Sequence, residues 1–206
     1  MNWKFNSKRF WGTRREIVLT ENVLHNLPRG NYIILDVGCG DGFLAHLLTL
    51  RGTEVVGIDI SLYRIKFAHE KCPEANFIIA DGRHIPLCTG IFKFVVCCEV
   101  FEHVHDYILI IEEIFRVIKG DGKLIVTVPY RMQEHINIFD EQRIIHALEN
   151  RGFTVKKIYG IGFELEGIGK FLPSAVRVFL HKIFYHIFKR ANFLFVVSYK
   201  MKGQAS

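Results

Sequence analysis

The 206-residue chain contains no run approaching the roughly 20 apolar residues that a bilayer-spanning helix needs. Its uncharged runs reach only about ten, so a transmembrane protein is not expected. Cysteine is scarce. Cys39, Cys72, Cys88, Cys97 and Cys98 are odd in number and never spaced C-x-x-C, which argues against both a disulfide framework and a zinc site. Most of them lie in apolar runs, where a thiol packs as a small hydrophobe. Internal repeats, Ser/Gly linkers and charge blocks are absent as well. The first residues, MNWKFNSKRFWGTRRE, are basic and aromatic but lack the apolar core and small-residue cleavage site of a secretory signal. The expected location is cytoplasmic, with the membrane surface as an alternative raised by a later segment.

What is present is enough apolar material for a full core: half of the residues are hydrophobic and 23% are charged. Disorder is excluded as the dominant state. One domain over 1–206 is expected at this length, with an aromatic, basic arm and helix over 1–30 and a helical insert at about 160–192. The net charge is +6 and the isoelectric point about 9.1. Residues 161–206 hold seven Lys/Arg against two Glu, so most of the excess is at one end. The basic residues interleave with large apolar ones instead of forming a broad patch, so a nucleic-acid partner is not expected.

Periodicity predicts alternating strands and helices. Tyr32 to Val37, Glu54 to Asp59, Asn76 to Ala80, Phe92 to Cys98 and Lys123 to Val128 read as short buried strands. Helices are predicted from Phe43 to about Leu48, from Ser61 to Lys71, from Asp106 to Gly120 and from Asp140 to about Asn150. Phe153 to Tyr159 and Phe193 to Tyr199 supply a sixth and a seventh strand. This alternation implies an α/β fold with a mostly parallel sheet and helices on both faces.

Ligands of open α/β sheets bind beyond the carboxyl ends of the strands, where the strand order reverses. Beyond the first strand stands DVGCGDG, with Gly38, Gly40 and Gly42 allowing a tight turn whose N–H groups come close to a ligand. A dinucleotide fingerprint would need glycine at 43, where Phe43 stands, so a dehydrogenase is disfavoured. Asp59 ends the second strand and could accept from a ribose diol. Asp81 and Gly82 follow the third strand, and Glu99 follows the fourth. Four carboxylates at four strand ends suit a ligand with a ribose, an amine and positive charge.

The segments ILDVGCGDGFLAHLL, VVGIDIS, IIADGRHIPL, FKFVVCCEVFEHV and IFRVIKGDGKLIVTVP together resemble the class I S-adenosylmethionine-dependent methyltransferases, over roughly Ile33 to Tyr159. The resemblance implies a Rossmann-like seven-stranded sheet with an antiparallel last strand, and S-adenosylmethionine as cofactor. By it, Asp36, Gly38, Cys39 and Gly40 would hold the methionine part. Asp59 and Ile60 would hold the ribose side, Asp81 and Gly82 the adenine, and Glu99 would face the sulfonium. Two positions depart from the family pattern: Lys93 stands where most members have Asp, and Asp121 replaces a glycine of the usual turn.

The E-x-x-E-H run of Glu99, Glu102 and His103 is similar to that of quinone-pathway O-methyltransferases. On one helix face these three side chains could hold a divalent metal; otherwise Glu99 is a pocket wall and Glu102 and His103 form a local pair. The second arrangement is expected, and with it no metal. His135 and His103 are the candidates for general base. Methyl transfer to a small, apolar or lipid-like acceptor follows, O-methylation first, with N- or C-methylation and a non-catalytic scaffold as alternatives. Between Lys170 and Arg190, Lys170, Ser174, Arg177, His181 and Lys189 form a basic stripe against an aromatic-rich face. Such a face either packs on the core or a second copy, or meets a lipophilic substrate or a membrane surface.

Overall fold

The computed structural model describes residues 14–161, 173, 175, 176, 178–180, 183 and 192–201. Helix α1 (Arg14–Asn26) precedes β1 (Ile33–Val37), α2 (Phe43–Thr49), β2 (Glu54–Asp59), α3 (Leu62–Lys71) and β3 (Asn76–Ile79). Then come β4 (Phe92–Cys98), a 3-10 turn (Phe101–His103), α4 (Tyr107–Val117), β5 (Ile118–Pro129), α5 (Glu141–Glu149), β6 (Phe153–Ile161) and β7 (Phe193–Lys200). The seven strands form one sheet in the order β3-β2-β1-β4-β5-β7-β6. All neighbouring pairs are parallel except those of β7, which runs antiparallel to both β5 and β6.

The chain leaves β1 toward one edge through β2 and β3, then returns to lay β4 and β5 on the other side. Right-handed crossovers therefore place α2 and α3 on one face and α4 on the other. The order reverses between β1 and β4, and a crevice opens beyond their carboxyl ends. Ile34, Leu35, Val95, Val96, Ile125, Val126 and Val196 are fully buried at the sheet's centre, as parallel strands covered on both faces require.

Local chemistry sets the helix starts. The Ser61 side chain accepts from the Arg64 N–H, and Asp140 from the Arg143 N–H at 2.8 Å, each satisfying a first-turn donor that the helix leaves unpaired. Helix α4 ends at Val117, earlier than its polar stripe through Lys119 suggests. Ile118 is fully buried and already extended, and it pairs with Phe92. Burial of that one side chain in the sheet outweighs helix propensity.

The two departures from the family pattern meet in space. Lys93 Nζ forms an ion pair with the Asp121 carboxylate and donates to the Asp121 carbonyl at 3.3 Å. Asp121 holds φ at 70°, a left-handed conformation that glycine adopts freely. Both side chains are more than a third exposed, so the pair stabilises little. Lys93→Asp should lower stability by about 0.5 to 1 kcal/mol by facing two carboxylates. Adding Asp121→Gly should recover that loss in urea titrations.

The arm with Trp3, Phe5, Phe10 and Trp11 lies outside the described residues. So do Lys170, Ser174, Arg177, His181 and Lys189 of the stripe. Of that segment, Ala175, Val176, Val178, Phe179, Leu180 and Ile183 are helical. Val178 is buried, whereas Val176, Phe179 and Ile183 are exposed. Among the described residues no helix is long and apolar enough to cross a membrane.

Candidate functional site

A cavity of about 340 Å³ occupies the crevice. Its floor is the end of β1 and the following loop, through Asp36, Gly38, Cys39, Gly40 and Asp41; Cys98 and Glu99 come from β4, and His103 from the turn after it. Glu16, Leu19, Thr20 and Val23 of α1 form one wall. The sequence reading missed that wall, although the buried stripe of α1 at Leu19, Val23 and Leu27 is helically spaced and could have shown it. Helix α1 is held in place from its carboxyl half. Asn26 Nδ2 donates to the Tyr159 hydroxyl (3.2 Å), which reaches Asn22 Oδ1 (3.3 Å), and Lys123 Nζ donates to the Asn26 carbonyl.

The glycine loop does something other than offer N–H groups to a ligand. The N–H groups of Gly38 and Cys39 both donate to the Ile58 carbonyl, at 2.8 and 3.0 Å. The Gly40 N–H donates to Asp59 Oδ2 at 3.0 Å, and the Ser61 N–H to Asp59 Oδ1 at 2.9 Å. Strand β2 thus takes up the donors that a phosphate would need. The expectation of N–H groups directed at the ligand is corrected: the loop is shaped by β2, and it presents carboxylates instead.

Asp36 decides the character of the cavity. The residue is 3% exposed, and among the described residues its Oδ2 has no hydrogen-bond partner. Burial, with the charge of Asp59 adding to it, pushes its carboxyl up to about 7. A carboxylate buried without a donor is costly unless a cation or a donor arrives. Glu16, Asp41 and Glu99 share the cavity with it, against Arg64 and His103, so the lining favours positive charge. Burial holds the thiols of Cys39, Cys97 and Cys98 well above their usual range. They stay protonated and are no nucleophiles.

Glu99 sits at φ 57°, and its backbone and side chain are both tied to Thr127 of β5: its N–H donates to the Thr127 carbonyl, and Oε1 accepts from Thr127 Oγ1, each at 3.0 Å. Because the chain turns at Glu99, Glu99 and Glu102 do not share one helix face, as the metal reading would require. Glu102 is fully buried, and its Oε1 lies 3.6 Å from His103 Nε2. Among the described residues no cluster of three or more His, Cys, Asp or Glu side chains could hold a metal ion.

The remaining predicted residues flank the cavity without lining it. Ile60 is 70% exposed. Asp81 accepts from Arg83 Nε and Nη2 at 3.0 and 2.7 Å, which holds its carboxyl below the usual range. Gly82 approaches β1 so closely that a Cβ there would stand 3.3 Å from Val37 Cγ1. The segment that follows is clamped to α4: Arg116 donates to the carbonyls of Ile85 and Leu87, both at 2.8 Å, while Glu113 accepts from the Ile85 N–H. His135 packs edge-on against His103, with ring centroids 5.2 Å apart. The two base candidates therefore stand together at the cavity mouth.

Residues 35–126 match the family described as a methyltransferase domain. Among curated proteins, the chain is similar to a probable S-adenosylmethionine-dependent methyltransferase of Mycolicibacterium smegmatis, at 24% identity over 163 residues, covering 74% of this chain and 62% of that protein. It is also similar to the ubiquinone biosynthesis O-methyltransferase of Psychrobacter arcticus, at 32% identity over 103 residues, covering 46% and 39%. The chain thus spans less than two thirds of the length of these relatives. Among solved structures the fold of the chain resembles that of the [4+2]-cyclase SpnF with a TM-score of 0.71 at 17% identity, over 98% of this chain and 87% of that one.

Proposed function

We propose that the protein transfers a methyl group from S-adenosylmethionine to a small apolar acceptor, with a hydroxyl as the favoured target. The observation that carries the reading is the buried Asp36 carboxylate, whose Oδ2 lacks a partner among the described residues, in an acid-lined cavity at the switch point. The α-ammonium and sulfonium of the cofactor supply the positive charge this lining calls for. Bound there, the cofactor would bring a methyl group already activated on sulfur. The protein's task is then to align the acceptor behind that methyl and to exclude water.

Asp36 would hold the ammonium, with Gly38, Cys39 and Gly40 shaping the floor beneath the methionine part. Asp59 would accept from the ribose hydroxyls through the lone pairs left by Gly40 and Ser61. The Ile60 side chain is free to cover the adenine, and Asp81 and Gly82 stand where the exocyclic amine would reach. Glu99 faces the cavity from β4, beside His103, and the imidazoles of His103 and His135 would take the acceptor's proton. An apolar acceptor is supported by Ile136 and Ile138, exposed on either side of Asn137 next to His135, and by exposed Val176, Phe179 and Ile183 on one helical face. With the basic excess of residues 161–206, that face suits an acceptor presented at an anionic membrane surface.

Asp59→Ala should weaken S-adenosylhomocysteine binding by about 1 to 3 kcal/mol, read by calorimetry. An unchanged affinity would remove Asp59 from the ribose. The whole reading is tested by titrating the purified protein with S-adenosylmethionine and S-adenosylhomocysteine, with NAD as control. Saturable binding of the two adenosyl ligands alone is the expected result. Failure of a folded protein to bind either would overturn it.

A further inference from the structure

Asn137 does not line the cavity, yet its side chain makes three hydrogen bonds beside the mouth. It is 8% exposed. Its Nδ2 donates to the carbonyls of Phe101 (2.9 Å) and Val104 (2.8 Å), its Oδ1 accepts from Arg143 Nη2 (3.0 Å), and its backbone N–H donates to the Glu102 carbonyl (3.2 Å). One residue of the β5–α5 loop thereby grips both ends and the middle of the 3-10 turn that carries Glu102 and His103. The loop itself is closed at its base by Arg131, whose N–H donates to the Phe139 carbonyl at 2.8 Å. Between these two fastenings stands His135.

We propose that Asn137 is a positioning residue that locks His135 against His103, making the two imidazoles and the buried Glu102 carboxylate behind them a single proton-accepting unit at the cavity mouth. Glu102, 3.6 Å from His103 Nε2, stabilises a proton arriving on that ring, and His135 shapes the other side of the position from which the proton comes. The chemical role rests on the methyl-transfer reading. In it, the acceptor oxygen's electron pair forms the new O–C bond, the C–S bond breaks to leave a neutral thioether, and the hydroxyl proton passes to an imidazole nitrogen. A loop carrying His135 without this latch would leave that side chain free to swing away from the His103 ring that it packs against.

The geometric part can be read without knowing the acceptor. Removing the neighbouring ring in His135→Ala should displace the His103 imidazole proton resonances in the NMR spectrum. Asn137→Ala should displace them in the same direction and by a similar amount, although His135 is still present. His103 resonances that stay at their wild-type positions in Asn137→Ala would overturn the proposal. Should that variant fail to fold, Arg143→Leu, which removes the guanidinium held by Asn137 Oδ1, should give a smaller displacement in the same direction, and none would count against the latch. S-adenosylhomocysteine affinity should stay within about twofold of wild type in Asn137→Ala, while methylation of catechol as a probe acceptor should lose at least tenfold in kcat. A loss of S-adenosylhomocysteine affinity in Asn137→Ala as large as its loss of kcat would reduce Asn137 to a general fold element. Absence of S-adenosylhomocysteine binding in the wild type would instead defeat the methyl-transfer reading and leave the latch to the NMR result.

Discussion

Asp36→Asn should nearly abolish cofactor binding while making the ligand-free protein harder to unfold at neutral and alkaline pH. The two effects have one cause. Burial and the charge of Asp59 raise the Asp36 carboxyl from 3.8 to about 7 in the folded protein. Between those values the native state holds a proton that the unfolded chain has released, so stability falls as pH rises through the window. Above about pH 7 the full cost of an ionised buried carboxylate is present. Three units correspond to at most about 4 kcal/mol, and Asn, which never ionises, should recover about 1 to 4 kcal/mol of it at pH 8 and almost nothing near pH 4. If Asp36 holds the cofactor's ammonium as proposed, binding has the opposite dependence, because the ammonium needs the charged carboxylate. Affinity for S-adenosylhomocysteine should be steady above pH 7 and fall about tenfold per unit below it, with protons released on binding at pH 6. Asp59→Asn, which removes the second cause of the shift, should move the break in that profile to lower pH. Calorimetry between pH 5.5 and 8.5 and thermal unfolding at pH 4 and 8 check both halves. A pH-independent affinity in the wild type would take the ammonium away from Asp36.

The alternation of buried strands and helices was legible in the sequence because β1, β2 and β4 are short apolar runs that end at or just before an acid or a glycine, and because β5 and β7 are shielded on both faces. The antiparallel β7 came from the family resemblance and could not have come from periodicity: FLFVVSY is buried almost throughout, as a parallel strand would be. The ends of elements were less legible. The α4 polar stripe continues through Lys119, but Ile118 is drawn into the sheet, a tertiary effect without a local signature.

For the site, the strand-end carboxylates could be read from spacing alone, since topology puts every such position on one edge of the sheet. Their separate tasks could not. Asp59 accepts from the Gly40 N–H of the glycine loop and from the Ser61 N–H and leaves Asp36 as the carboxylate in need of a cation, a difference set by which N–H groups each one meets. The pairing of Lys93 with Asp121 and of His103 with His135 joins positions 28 and 32 residues apart, and only the fold brings them together. The same topology in a [4+2]-cyclase means that the scaffold does not by itself choose a reaction. The choice rests on the charges and bases arranged around the cavity.

Gly38→Ala should be the most damaging single-methyl change in the site. Gly38 holds φ at +73°, and a Cβ built there would stand 2.3 Å from Val100 Cγ2. Two separable costs follow. The left-handed backbone is unfavourable for alanine by about 1 to 2 kcal/mol, and the overlap forces Val100, on the turn that leads from Glu99 to His103, to move, at about 1 to 3 kcal/mol. The sum is about 2 to 5 kcal/mol of stability, with loss of S-adenosylhomocysteine binding because the displaced turn carries one side of the cavity. A double-mutant cycle separates the terms. Val100→Ala in the Gly38→Ala background removes the overlapping methyl and should recover the steric part, leaving the backbone cost. Denaturant titrations of the four proteins measure this coupling, since residues in contact depart from additivity by about 0.5 to 3 kcal/mol. Simple additivity would mean that Val100 yields freely, in which case the turn is softer than its bonds to Asn137 imply and the placement of His103 weakens with it. Recovery of cofactor binding in the double mutant would show instead that the loop floor tolerates a side chain once the turn is back in place.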